Sequence, residues 1–349
     1  ALLLALAYGW AFLLEKAVYM NHHYLMVLLA VLLAVLPAQR ALSVDVWRGV
    51  VARAQVPFLA VALLRFQLAI VYLYGAVAKL NPDWLAGEPM LSSLRDGGPE
   101  IPSLAHLLPA ELLATFIAWA GIAVDVAIPV LLLRRSTVGW GIALAVAFHA
   151  LNGVFLRIGV FSWLMIGAVT IFLPPDWPRR WLGSVGRVGE ALPPRRWWIA
   201  CAAVYVFVQL VVPLRHWAYP GDVNWTEEGH RFSWRMKLRS KDSILTIHAR
   251  DPATGRRWSI DPSADLVPRQ VAKLQVFPDI LLQFVHAHRD RLRAAGVDAE
   301  IHVDWWCSLN GAPPQRLVDP TVDLAAEESG WRAARWILPY DRAGGRGAS

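Results

Sequence analysis

The stretch PFLAVALLRFQLAIVYLYGAVAKLNPDW, residues 57–84, decides the fold. Its first part, 57–80, is a nearly continuous apolar run, and a helix of roughly 20 such residues crosses a bilayer. A proline turn, NPDW, closes it. The run is not purely apolar. Arg65 and Gln67 lie near its middle, and Lys79 stands one residue from its end. Ionisable groups inside a spanning segment are costly and mark a functional site by default. Lys79 has two readings. In one, its ammonium snorkels to the headgroups. In the other, an amine held away from water gives up its proton more readily than one in water and serves as a base.

Further apolar runs surround this one at 1–14, 24–37, 110–133, 138–152, 155–173 and 197–214. Run 24–37 is short for a span, so it is either tilted or extended into its flanks. Runs 138–152 and 155–173 are two short spans or one broken span, and a break is tolerated where it lines a cavity. The chain is 56% hydrophobic and only 17% charged, where soluble domains carry about a quarter charged residues. Most acidic residues come after 220. The expected fold is therefore a multi-pass α-helical membrane domain, 1–218, followed by a β-rich α+β extramembrane domain, 219–340, and a disordered tail, 341–349. The chain begins at Ala1, inside an apolar run and without Met, and reads as a fragment lacking its N-terminus.

Charge placement gives a topology. Loops 38–56, 134–137 and 174–196 carry ten arginines: Arg40, Arg48, Arg53, Arg134, Arg135, Arg179, Arg180, Arg187, Arg195 and Arg196. The alternate loops, 15–23, 81–109 and 153–154, carry two basic residues, Lys16 and Arg95. By the positive-inside rule the arginine-rich side is cytoplasmic. The extramembrane domain, the 15–23 loop and the end of the Lys79 helix then share the non-cytoplasmic side. This placement explains the net charge of +7 without nucleic acid as a partner. Tryptophans near the ends of apolar runs (Trp47, Trp84, Trp140, Trp163, Trp177, Trp197, Trp198, Trp217) suit an interfacial aromatic belt.

In the second domain, RFSWRMKLRS (231–240) alternates like a half-buried strand, with SILTIHARD (243–251) as its hairpin partner. DPATGRRWSIDP continues the β pattern through a turn. Residues 267–296 read as two helical pieces around Pro278. EIHVDWWCSLNG (300–311) is a strand with Glu300, His302 and Asp304 on one face and Ile301, Val303 and Trp305 on the other. Cys201 lies in an apolar run and Cys307 in this domain, so no disulfide is expected between them.

The polar residues of the apolar runs each carry two readings. Asp125 and Arg65 form either a structural ion pair that locks two helices or part of a site. His149, with Asn152 three residues on along the same face, is interhelical glue or a ligand contact. Asn21, before His22 and His23, is a helix N-cap or a site residue. No HExxH, CxxC, G-x-S-x-G, Walker or GxGxxG pattern is present, and no metal is expected.

Several stretches together resemble the vitamin K-dependent gamma-glutamyl carboxylase family, specifically its horizontally transferred transmembrane domain in bacterial-type homologues. They are MNHHYLMVLLA, LLRFQLAIVYLYGAVAKLNPDWLAGEPM, FHALNGVFLRIGVFSW and LPPDWPRRW, then NWTEEGHRFSWRMKLRS, RDPATGRRWSIDP, DWWCSLNGAPPQRLVDPTVDL and RWILP. The likeness runs in order along nearly the whole chain. It implies vitamin K hydroquinone (menaquinol or similar) as cosubstrate, with O2 and CO2 consumed and no metal. In that family a lysine deprotonates the hydroquinone, and oxygen addition leads to a strongly basic alkoxide. The alkoxide takes a γ-proton from a protein glutamate, and the carbanion adds CO2.

By resemblance the base is Lys79, although the first lysine of the family's pair is Ala78 here. His22 matches the histidine of the carbanion and CO2 step, and His149 matches the family's second membrane histidine. Asn21, Arg65, Gln67 and Asn152 are candidates for orienting a quinol oxygen or the glutamate carboxylate. A glutamate-containing peptide or protein and membrane lipid are the implied partners, with the outer domain placed to clamp the peptide by edge-strand addition. The rival reading is a non-catalytic membrane scaffold that binds a lipid or quinone and holds a partner with its outer domain. A transporter is disfavoured, because no inverted repeat is visible.

Overall fold

The computed structural model describes residues 1–40, 43–51, 54–95, 108–155, 159–174, 177 and 195–342. Much of the arginine-rich 174–196 loop, Arg53, and the tail beyond Arg342 lie outside the described residues. The chain forms two compact units.

The first unit comprises Ala1–Leu14, Tyr19–Pro213 and Trp234–Met236. Its longer helices are α1 (Leu2–Leu14), α2 (Asn21–Val35), α3 (Phe58–Lys79), α4 (Ala110–Leu132), α5 (Val138–Phe155), α6 (Val160–Ala168) and α7 (Arg196–Val211). Among the described residues, four helices are long and apolar enough to cross a membrane: α3, α4, α5, and α7 with its 3-10 extension to Ala218. Helix α2 adds a fifth if it is joined to the bent piece that follows. The expected runs all become helices, and 138–152 and 155–173 form separate ones.

Helix α3 is the hub, with every residue from Gln67 to Tyr72 buried. Leu68, Val71 and Tyr72 pack with Leu25 of α2, Ile128 of α4, Ala145 of α5 and Met165 of α6. Helix α7 buries only Ala202 and Gln209, so its remaining apolar surface faces outward, as lipid contact requires. Trp47, Trp140, Trp163, Trp197 and Trp217 are likewise exposed, whereas Trp84 is only 6% exposed and belongs to the interior.

The second unit comprises Glu15–Val18, Leu214–Ser233 and Lys237–Ser349. Strands β1 (Lys241–Arg250), β2 (Arg257–Ile260), β3 (Glu300–Leu309) and β4 (Gln315–Arg316) form an antiparallel sheet in the order β2-β1-β3-β4. The period-2 pattern of β3 works as expected. Ile301, Val303, Trp305, Cys307 and Leu309 point into the core, while Glu300, His302 and Asp304 face the other way. Helices α8 (Pro268–Leu274) and α9 (Pro278–Ala294) are the two pieces around Pro278. Ile280, Leu281, Phe284 and Val285 of α9 share the sheet's core.

One expected strand does not form. Residues 231–240 make turns rather than a strand, and β1 begins at Lys241. The backbone is left-handed at Phe232 (φ 63°), Trp234 (φ 55°) and Lys237 (φ 52°), which no β ladder accommodates. Strand β1 instead pairs along its length with β3, placing Ile247 opposite Val303, and forms its hairpin with β2.

Candidate active site

The NPDW turn builds the site around Lys79. Proline at 82 cannot continue a helix and holds Asn81 extended (φ −134°, ψ 155°). Asn81 then works in both directions. Its Nδ2 donates to the Ala78 carbonyl at 2.9 Å, closing the end of α3. Its Oδ1 accepts from the Trp84 N–H at 3.1 Å, capping the one-turn helix Pro82–Leu85. The cap aims Trp84 inward, where its Nε1 donates to the Ala118 carbonyl of α4 at 2.9 Å.

Helix α4 meets this corner with Ala114, Ala118, Gly121 and Asp125, spaced for one face. Lys79 Nζ donates to Asp125 Oδ2 and sits 5.3 Å from the centre of the Trp84 ring. The two side chains are 12% and 6% exposed, so the lysine does not snorkel. Asp125 was a candidate partner of Arg65; its partner is Lys79 instead. Arg65 donates to the carbonyls of Ile171 (3.0 Å), Phe172 (3.4 Å) and Leu173 (3.3 Å), where α6 and its 3-10 extension end. It thereby serves orphan helix-end carbonyls.

Of the two glycines beside the lysine–aspartate pair, Gly75 is the one whose missing side chain leaves room for it, and a methyl at Gly121 would make only ordinary contact. A Cβ on Gly75 would lie 3.1 Å from Asp125 Oδ2, and one on Gly121 would lie 3.9 Å from Lys79 Nζ. Tyr72, Gly75 and Lys79 share one stripe of α3. Seven residues before the lysine, the Tyr72 hydroxyl is hydrogen-bonded to His149 Nε2 at 2.7 Å. Phe161 of α6 stands between the two candidate histidines, with ring centroids 5.8 Å from His149 and 6.1 Å from His22. His22 is half-buried and makes no hydrogen bond to Lys79.

Asn21 is the first residue of α2 rather than its cap, which is Met20. Its amide accepts from the Tyr19 hydroxyl at 3.0 Å and donates to the Arg235 carbonyl at 2.8 Å. Asn152 is half-buried and has no hydrogen-bond partner among the described residues. Gln67, 0% exposed, accepts from the Tyr205 hydroxyl at 2.6 Å. Gln209, one turn beyond Tyr205 on α7, donates to the Tyr24 hydroxyl at 3.2 Å, and Tyr24 packs on Trp234 with ring centroids 5.1 Å apart. Gln67 Nε2, Gln209 Oε1, Trp234 Nε1 and His149 Nδ1 are buried without a hydrogen-bond partner. The tyrosines, Phe161, Trp234 and Gln209 were not singled out from the sequence. The helical spacing of Tyr72 and Lys79 was the signal for one of them. Among the described residues no group of three or more His, Cys, Asp or Glu side chains is gathered for a metal.

The second unit holds a different charge centre. Glu227 (φ 60°) accepts from Arg239, lies 2.9 Å from Lys241 Nζ, and has His230 Nδ1 at 3.8 Å. Burial pushes its carboxyl up, but Arg239, Lys241 and His230 outweigh that and hold it at about 2. Burial holds the His230 imidazole at about 4.

The HTTM domain family matches residues 1–177, and the family described as vitamin K-dependent gamma-carboxylase, lumenal domain, matches residues 194–343. The chain belongs to the gamma-glutamyl carboxylase family. In this carboxylase-family chain, Lys79, Asp125, His22 and His149 all fall in the HTTM match. The four-stranded sheet and the Glu227 centre fall in the lumenal-domain match. Family membership gives a carboxylase-like membrane enzyme as the coarse function. No solved structure matches the chain.

Proposed function

We propose that the protein carries out vitamin K hydroquinone-dependent gamma-carboxylation of protein glutamate coupled to quinol epoxidation. The observation that carries this reading is the secluded Lys79–Asp125 pair at the end of a membrane helix, within a carboxylase-family chain. Lys79 is the proton acceptor, and the apolar surroundings suit a lipid-delivered quinol. With O2, the hydroquinone supplies the strong base that the glutamate γ-carbon requires.

Asp125 is the positioning residue. A proton that shifts from Lys79 to Asp125 along their hydrogen bond leaves a neutral amine beside a neutral acid. The pair carries no net charge in either form, so little desolvation opposes the shift. The neutral amine then takes a quinol proton. Trp84 covers the ammonium and excludes water from it. His22 serves the glutamate step. The second unit, on the non-cytoplasmic side, holds the glutamate-containing peptide, and β2 is the sheet edge for strand addition, since the edge at β4 is covered by residues 336–341.

The test supplies detergent-solubilised protein with reduced vitamin K, O2, labelled bicarbonate and a Glu-rich peptide. Label fixation and epoxide formed together are expected. Epoxide without label would restrict the function to quinol oxygenation, and neither product from folded protein would favour the scaffold reading.

A further inference from the structure

Beside the Glu227 centre, the second unit gathers further cations around Phe277, the residue between α8 and α9. Phe277 packs partly against the sheet's core, which fixes its ring. Lys273 Nζ, Arg239 Cζ and Arg231 Cζ lie 5.2, 5.6 and 5.7 Å from the ring centre, and His230 stacks on it at 4.8 Å. The acids of this neighbourhood already have partners. Glu227 pairs with Arg239 and Lys241, and Asp279 with Arg231 and Lys16. Glu15 accepts from Gln270 of α8 at 2.9 Å. The side chains of Lys273 and, one turn earlier on α8, Arg269 make no ion pair or hydrogen bond among the described residues. Burial, then Arg239, Arg269 and Arg231, hold the Lys273 ammonium below the usual lysine range, and Glu227 only partly opposes them. The ring attracts each cation weakly but carries no charge to neutralise them.

We infer that this nest binds a glutamate side chain of an acidic peptide. The carboxylate meets the Lys273 ammonium and the Arg269 guanidinium, and the side-chain methylenes lie on the part of the half-buried Phe277 ring that the core leaves uncovered. An inorganic anion would use the cations but not the ring. Strand β2 ends at Ile260 and α8 begins at Pro268, so the peptide edge and the nest's helix stand within about 30 Å. A peptide added to β2 therefore reaches the nest with a further acidic residue. The inference rests on the peptide substrate proposed above but not on the carboxylation chemistry, because the glutamate held here is not the one that reacts.

The test measures binding of a fluorescent Glu-rich peptide to the full chain in neutral detergent, without hydroquinone. The comparators are the same peptide with Gln for every Glu, inorganic phosphate, and detergent-solubilised phosphatidylglycerol. The Glu peptide is expected to bind more tightly than the Gln peptide. Lys273→Gln/Arg269→Gln should weaken Glu-peptide binding roughly five-fold and leave the Gln peptide unaffected. Lys79→Ala should bind both peptides as the wild type does. Equal binding of the two peptides, a preference that the Lys273/Arg269 variant keeps, or complete displacement by phosphate or phosphatidylglycerol would each overturn the assignment. No binding of either peptide would overturn the substrate reading with it, whereas a preference kept by the variant removes the nest alone.

If the variant does not fold, carbodiimide coupling in the wild type decides. It should join a peptide carboxyl to Lys273 Nζ, read by mass spectrometry of the linked fragment. Absence of that linkage overturns the proposal.

Discussion

Asp125 in the helical unit has one cation beside it, Lys79, whereas Glu227 in the second unit has Arg239, Lys241 and His230 around it. Both acids are buried. Lys241 also donates to the Trp225 carbonyl at 2.6 Å, so the cation itself is anchored a second time. Lys79 has no such anchor: its other neighbour is the face of the Trp84 ring. A carboxylate with several cations has its charge fixed and its geometry over-determined, which is what a structural lock needs. A carboxylate with one lysine, in a place that water scarcely reaches, is held by a single hydrogen-bonded partner. The first arrangement stabilises, and the second is the one proposed above for proton transfer.

Substitutions at the two centres should therefore fail in different ways. The largest effect is expected for Lys79→Ala, with epoxide and fixed label falling together by roughly 10²–10⁴-fold while the protein stays folded by circular dichroism. Glu227→Ala should instead destabilise the second unit, because it leaves buried Lys241 and half-buried Arg239 without their carboxylate, at about 3–5 kcal/mol. Proteolysis and Tm in detergent would register this. If Glu227→Ala kept its Tm, the lock reading would fail.

Acid sharpens the same contrast. Both Glu227 and His230 have folded values below their ordinary ones, so each contributes stability above its ordinary value and loses it as pH falls toward the folded one. His230 should weaken the unit from about pH 6.5 toward 4, and Glu227 from about 4.5 toward 2. Thermal melts from pH 7 downward should show a falling Tm, and a Glu227→Gln variant should lose the lower part of that fall.

Smaller effects belong to the helical unit. Tyr72→Phe leaves buried His149 Nε2 without its partner and should cost about 1–3 kcal/mol, read as a fall in Tm. Gly75→Ala should do least. Its Cβ presses on Asp125 Oδ2 from 3.1 Å, shifting the carboxylate slightly and reducing epoxide by less than about ten-fold.

The helices were legible because their apolar runs are long and are broken by loops with clear charge and proline signals. The β3 register was legible because one face of it is buried, so alternation is strict. Residues 231–240 alternate as well, yet the chain turns left-handed at Phe232, Trp234 and Lys237 and buries Trp234 in the helical unit. Alternation cannot report backbone handedness. The candidate residues stood out one by one, but their pairing did not. Lys79 and Asp125 are both conspicuous in apolar runs, but which cation meets Asp125 depends on how α3 and α4 cross. It depends also on the bare face of Gly75, which no spacing along one helix contains. Arg65 looked equally suitable, and helix-end carbonyls took it instead.

The most direct test of the paired-proton account compares epoxide formation by Asp125→Asn with that of the wild type across pH, with Lys79→Ala alongside. The account predicts that Asp125→Asn folds, forms far less epoxide and responds to pH differently from the wild type, because its lysine has lost the group that takes its proton. A rate and pH profile equal to the wild type in Asp125→Asn would contradict it and leave Lys79 acting alone.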